Sequence, residues 1–114
     1  MPNLNQSIEL TFAALSDPTR RAVVQALSKG SATVSDLASP FNMALPSFTQ
    51  HLGVLENAGL VVSRREGRSR VCSLNPSALK AAEEWVALYR QQWESRMDRF
   101  ETHLENVKKE KSNA

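Results

Sequence analysis

From residue 77 to residue 107 the apolar side chains Leu79, Ala82, Val86, Tyr89, Trp93, Met97, Phe100, Leu104 and Val107 recur every three or four positions. That spacing predicts one helix with an apolar stripe, about 45 Å long at 1.5 Å per residue. Trp85 and Leu88 widen the stripe near its start. Asn75-Pro76 supplies a cap and a proline suited to the first turn, and neither Gly nor Pro interrupts the chain beyond it. Residues 108–114 are polar and expected to fray. A small core cannot cover so long a stripe, so it calls for a helix–helix seam with a second copy of the chain.

The first half carries shorter helical patterns. Ile8, Leu10, Phe12, Ala13 and Leu15 mark a short apolar helix over about 6–15. Asp17-Pro18 starts a second, with Ala22, Val23, Ala26 and Leu27 as its expected inner face. Thr33-x-x-Asp36 resembles a capping box and opens a third helix bearing Val34, Leu37 and Ala38, limited by Pro40. A fourth helix begins near Pro46, buries Phe48, Leu52 and Leu55, and stops at Gly59. Leu45 is a poor cap for it. Two short helices joined by a few residues, the second with a polar outer face, form a helix-turn-helix pattern over about 33–59.

Alternation replaces helical spacing over 60–74. Leu60–Arg65 and Arg70–Leu74 flank Glu66-Gly67-Arg68-Ser69, which predicts a β-hairpin with Gly67 in its turn. The fold class expected is mainly α with a small β wing: one domain over 1–114, with helices 6–15 and 77–108 available for dimerisation. No internal repeat or linker divides the chain.

Charge sharpens this picture. Residues 1–41 carry three basic and three acidic groups, and residues 80–114 carry seven of each. Arg64, Arg65, Arg68 and Arg70 against Glu56 and Glu66 leave the whole net charge of +2 within 42–79. A basic hairpin beside a helix with a polar face is the footprint of a nucleic-acid binder, and double-stranded DNA is the expected partner. The polar positions of the fourth helix are Ser47, Thr49, Gln50 and His51, with Val54 beside them. Gln pairs bidentately with adenine, and Ser or Thr reaches a base edge or phosphate. Gln50 is the foremost base-reading candidate, followed by Ser47 and His51. Arg65, Arg68 and Arg70 are the wing candidates for phosphate, with the minor groove open to Arg68 as well. Arg20 and Arg21 stand near a helix start, where the macrodipole disfavours cations, so a carboxylate or a DNA phosphate is expected to hold Arg20. Gly53 is unusual inside a helix; either it lets the backbone come close to DNA or another helix, or it is tolerated because packing holds the helix.

Other chemistries find little support. Both histidines stand alone, and no nucleophile elbow, phosphate loop or paired cysteine is present, so neither catalysis nor a cofactor is expected. The single Cys72 cannot form an internal disulfide; it is expected to be a small packed hydrophobe in a reducing cytoplasm. No apolar run approaches ~20 residues, so no membrane span is expected, and residues 1–7 lack the basic and apolar parts of a leader.

Asp17-Pro18-Thr19-Arg20-Arg21, Ser35-Asp36-Leu37-Ala38, the run Gln50-His51-Leu52 through Ala58-Gly59-Leu60-Val61, and Arg65-Glu66-Gly67-Arg68 together resemble ArsR-type winged helix-turn-helix repressors over roughly residues 8–75. The resemblance implies a homodimer that binds operator DNA and represses transcription. Metal-sensing members carry Cys-x-Cys-Asp-Leu at the start of the helix-turn-helix; here Thr33 and Ser35 precede Asp36-Leu37. Hydroxyls are poor ligands for soft metals. A second metal site in the family uses His and acidic residues of the last helix. Here His103 has only Arg99, Phe100, Asn106 and Val107 as same-face neighbours, so no metal site is expected and the chain looks like a branch without the metal-site cysteines. The rival readings are a ligand- or metal-responsive sensor with an unrecognised effector site, and a winged-helix protein-interaction module.

Overall fold

A computed structural model describes residues 4–112, with side chains from Ile8 onward. The elements run α1 (Leu4–Leu15), α2 (Pro18–Leu27), β1 (Ala32–Thr33), α3 (Val34–Ala38), α4 (Leu45–Asn57), β2 (Val61–Glu66), β3 (Ser69–Leu74) and α5 (Pro76–Ser112). Two compact units divide the chain, one ending at Ala82 and one beginning at Glu83.

The first unit is held by one hydrophobic core. Val23 and Leu27 of α2, Leu37 of α3, Phe48, Leu52 and Leu55 of α4, and Leu60, Val61 and Cys72 of the wing are all buried in it. The spacing of Phe48, Leu52 and Leu55 places them on one face of α4, which is why that helix sits with its opposite face outward. Phe41, in the turn between α3 and α4, lays its ring against Phe48 at 5.5 Å between centroids, fixing the turn to the helix it introduces.

Local chemistry sets the boundaries. Asp17 caps α2, its carboxylate accepting from the Arg20 N–H at 3.1 Å, with Pro18 at the first turn. Thr33 Oγ1 accepts from the Asp36 N–H at 3.1 Å and caps α3. The α4 helix begins one residue before the expected Pro46, with Ala44 at its cap and no side-chain acceptor there. Its other end is better closed. Gly59, at φ +77°, lets the Leu60 N–H reach the Leu55 carbonyl and its own N–H reach that of Glu56, both at 3.0 Å. Asn75 Oδ1 accepts from the Ser77 N–H at the start of α5.

Three expectations from sequence need correction. The turn of the wing is Gly67-Arg68 alone, since Glu66 and Ser69 already pair across the ladder. Gly67 has φ +62° and Arg68 does not share the positive φ, as in a II′ turn. The wing is not a bare hairpin: β1 adds to β3, pairing Ala32 with Cys72 and Thr33 with Val71, in the sheet order β1-β3-β2. In α2, Ala26 is exposed while Val24 packs on the core. In α1, Thr11 and Ala14 face inward, and Leu10 and Phe12 remain 46% and 38% exposed.

The second unit is the distal part of α5. The helix continues to Ser112, beyond the expected fraying point at 108. Trp85, Val86, Leu88, Tyr89, Trp93, Met97, Phe100 and Leu104 are each 44–61% exposed along it. Trp85 and Tyr89 pack ring to ring at 4.7 Å, and Arg90 pairs with Glu94 one turn on at 3.1 Å. No described helix is long and apolar enough to cross a membrane.

The two glycines of α4 and its stop separate cleanly. A Cβ added to Gly53 meets nothing within 4 Å, whereas Gly59 needs its positive φ. Gly53→Ala should therefore stabilise the fold by about 1 kcal/mol. Gly59→Ala should destabilise it by about 1–2 kcal/mol. Urea unfolding of the two variants reads both signs, and equal effects would contradict this geometry.

Candidate nucleic-acid interface

The outward face of α4 is built by what its inward face buries. Ser47, Thr49, Gln50 and Val54 are exposed, with Phe48, Leu52 and Leu55 beneath them. Thr49 donates its hydroxyl to the Pro46 carbonyl at 2.9 Å, so that oxygen keeps its acceptor capacity. Ser47 and Gln50 make no side-chain hydrogen bond among the described residues, so their polar atoms are available to an incoming ligand.

His51 is different. Its Nδ1 lies 3.2 Å from Arg20 Nη1 and 3.7 Å from Asp17 Oδ2. A guanidinium has no acceptor, so Nδ1 receives this hydrogen bond and the ring proton of neutral His51 sits on Nε2. Arg20 itself donates from Nε to the Ala14 carbonyl at 2.6 Å and from Nη2 to the Ala13 carbonyl at 3.2 Å. Arg21 donates to the Leu15 carbonyl at 2.9 Å. Two arginines at the start of α2 thus satisfy the open carbonyls at the end of α1, where cations are favoured. This explains their place in the sequence: within the protein Arg20 has a structural use, and its side chain is held by carbonyls of α1, acceptors that the sequence did not suggest. His51 joins α4 to the α1–α2 joint.

The wing arginines fall into two classes. Arg64 pairs with Glu66 at 2.8 Å on the outer face of the sheet. Arg70 pairs with Glu56 of α4 and donates from Nε to Ser63 Oγ at 3.1 Å, and Ser63 in turn donates to the same Glu56 oxygen at 3.1 Å. Arg65 and Arg68 make no ion pair or hydrogen bond with another side chain among the described residues. Arg65 stands opposite Arg70 and shares a face with Val61 and Ser63, the side of the sheet that meets α4; Arg68 lies at the turn. Two of four arginines are neutralised within the protein, and the remaining two account for the segment's net charge of +2.

Cys72 is fully buried in the middle of β3, and burial pushes its thiol above the ordinary range, so it is a neutral packing group at pH 7. No group of three or more His, Cys, Asp or Glu among the described residues could hold a metal ion. The hydroxyl of Thr33 is spent on the α3 cap.

The capping hydrogen bond from the Arg20 N–H holds the Asp17 carboxyl below the usual Asp range; partial desolvation opposes it, and the nearby His51 and Arg20 charges assist. A depressed folded-state pKa contributes stability in full above the unfolded pKa, and that contribution is lost as pH falls through the folded value. Melting temperature should therefore drop in the acid range in wild type, and Asp17→Asn should flatten that part of the profile. An acid limb identical in the two proteins would remove Asp17 from this role.

Residues 15–64 match the family described as a helix-turn-helix domain. Transcriptional repressor SdpR of Bacillus subtilis is 37% identical over 75 residues, covering 66% of this chain and 83% of the relative. The HTH-type transcriptional regulator Rv2034 of Mycobacterium tuberculosis is 41% identical over 76 residues, covering 67% of this chain and 71% of the relative. The crystal structure of an ArsR family transcriptional regulator is 45% identical with a TM-score of 0.77, covering 83% of this chain and 98% of that one. The solution structure of a homodimeric winged helix-turn-helix DNA-binding domain from Mycobacterium bovis shares the fold at 23% identity and a TM-score of 0.60, covering 84% of this chain and 86% of that one. An outward polar helix face, a basic wing beside it and these likenesses converge: the chain belongs to the ArsR family of winged helix-turn-helix transcriptional regulators.

Proposed function

We propose that this chain is a homodimeric repressor, acting in the cytoplasm without catalysis or cofactor, that lays α4 of each protomer in the major groove of a near-palindromic operator. The observation that carries this reading is the pairing of α4's outward row with the two unpaired wing arginines, Arg65 and Arg68. Gln50 is the base reader, with Ser47 and Thr49 beside it for base edges or phosphate. Arg65 and Arg68 meet phosphate. His51 supports α4 from behind through Arg20, and its Nε2–H is the one ring donor left for DNA.

The homodimer is supported by apolar surface. Leu10 and Phe12 of α1 are exposed in one unit, and the aromatic stripe from Trp85 to Leu104 in the other. A row of that extent is costly in water, and burial against a second copy of the chain would cover it. Two recognition helices would then meet half-sites one helical turn apart, ~34 Å. Thr33 and Ser35 stand where metal-sensing members place thiolates, which supports a member without that metal site.

Two substitutions test the contacts on a duplex selected from random DNA and on random-sequence DNA. Gln50→Ala should weaken binding to the selected duplex by about 1–3 kcal/mol and leave random DNA almost unaffected; an equal loss on both rejects base reading. Arg68→Ala should weaken both and flatten the plot of log affinity against log salt by about 0.9 for each phosphate lost. An unchanged slope rejects a phosphate contact.

A further inference from the structure

Glu56 is out of place by the rules of helix electrostatics. It is the penultimate residue of α4, where the open carbonyls give the helix end a partial negative charge that disfavours an acid. Its side chain is only 27% exposed. It is kept there by Arg70 of β3, which ion-pairs with its Oε1, and by Ser63 of β2, whose hydroxyl donates to the same oxygen at 3.1 Å. Arg70 Nε closes the triangle on Ser63 Oγ at 3.1 Å. Three residues from three elements thus join the end of the recognition helix to both strands of the wing. The backbone links on this side, the Gly59 stop and the Asn75 N–H to the Leu60 carbonyl at 2.8 Å, lie at the base of the sheet, and the Glu56 cluster holds the strands farther toward the turn.

We propose that Glu56 is a positioning residue for DNA recognition: it holds Arg70 within the protein and fixes the wing relative to α4, so that Arg65 and Arg68 carry the phosphate contacts. This rests on the reading that the wing meets DNA. Arg70 then makes no net call on counterions, because its charge is balanced before DNA arrives. Removing the carboxylate charge releases a third arginine on the face that Arg65 occupies. The consequence has a sign opposite to ordinary loss of function. Affinity for arbitrary sequence rises and becomes more salt-dependent, while discrimination falls.

The test uses the full chain on a random-sequence duplex and on a duplex selected from random DNA, each titrated across a salt series. Glu56→Gln keeps the shape and one acceptor oxygen for Arg70 and Ser63 and replaces the charged carboxylate with a neutral amide. It should steepen the salt slope on the random duplex by about 0.9 per protomer and lower the selected-to-random affinity ratio. Arg70→Ala should lower that ratio with no change of slope, and the double variant E56Q/R70A should return the slope to that of wild type. An unchanged slope in E56Q overturns the inference. A slope that Arg70→Ala and Arg68→Ala flatten equally keeps the wing on DNA and overturns this inference alone. A slope that Arg68→Ala leaves untouched rejects the wing contact, and the inference falls with it.

Discussion

Burial of one row of side chains, Phe48, Leu52 and Leu55, is the constraint on which the rest depends. All three are at most 1% exposed. Their depth fixes the rotation of α4 about its axis, and rotation alone decides which residues look outward. With that row in the core, Ser47, Gln50 and Val54 have no choice of direction. Leucine-to-alanine changes in such positions typically cost ~2–5 kcal/mol, several times the worth of a surface contact. The chemistry that α4 presents outward is therefore set by packing, not by the polar residues themselves.

The same row controls the wing. Leu55 is the residue whose carbonyl receives the Leu60 N–H across the Gly59 stop, and both Leu55 and Leu60 are fully buried. Burial of Val61 and Cys72 then seats the base of the sheet, and the alternation of the strands carries Arg65 to the α4 side and Arg64 away from it. In the middle of α4, His51 and Arg20 link the helix to the α1–α2 joint. The α4 helix and the wing are thus fixed by hydrophobic depth first, and trimmed by a few charged contacts whose individual worth is small when exposed.

Much of this was legible in the sequence because it is local. The spacing of Phe48, Leu52 and Leu55, the Asp17-Pro18 start, the Thr33 cap, and the glycines at 59 and 67 each act within a turn or two of chain. What escaped was non-local. Ala32 and Thr33 become a strand only because Cys72 and Val71 lie beside them, and two residues carry no period of their own. Arg70 could not be sorted from Arg65 and Arg68 because its partner Glu56 lies 14 residues away across the helix stop. Arg20 was uninformative for the same reason: its acceptors are carbonyls of the preceding helix. In α1 the apolar pattern alone did not say which residues face the core: Thr11 turns inward, and Leu10 and Phe12 turn outward. That arrangement is what a helix with a second apolar surface to meet would show.

In the proposed complex, two copies present their α4 helices to one duplex. Hydroxyl-radical footprinting of the full chain on a duplex selected from random DNA addresses it most directly. Two protected patches related by two-fold symmetry and separated by about one helical turn, ~34 Å, are the expected result. A single asymmetric patch at saturating protein, or protection that does not depend on sequence, would contradict it.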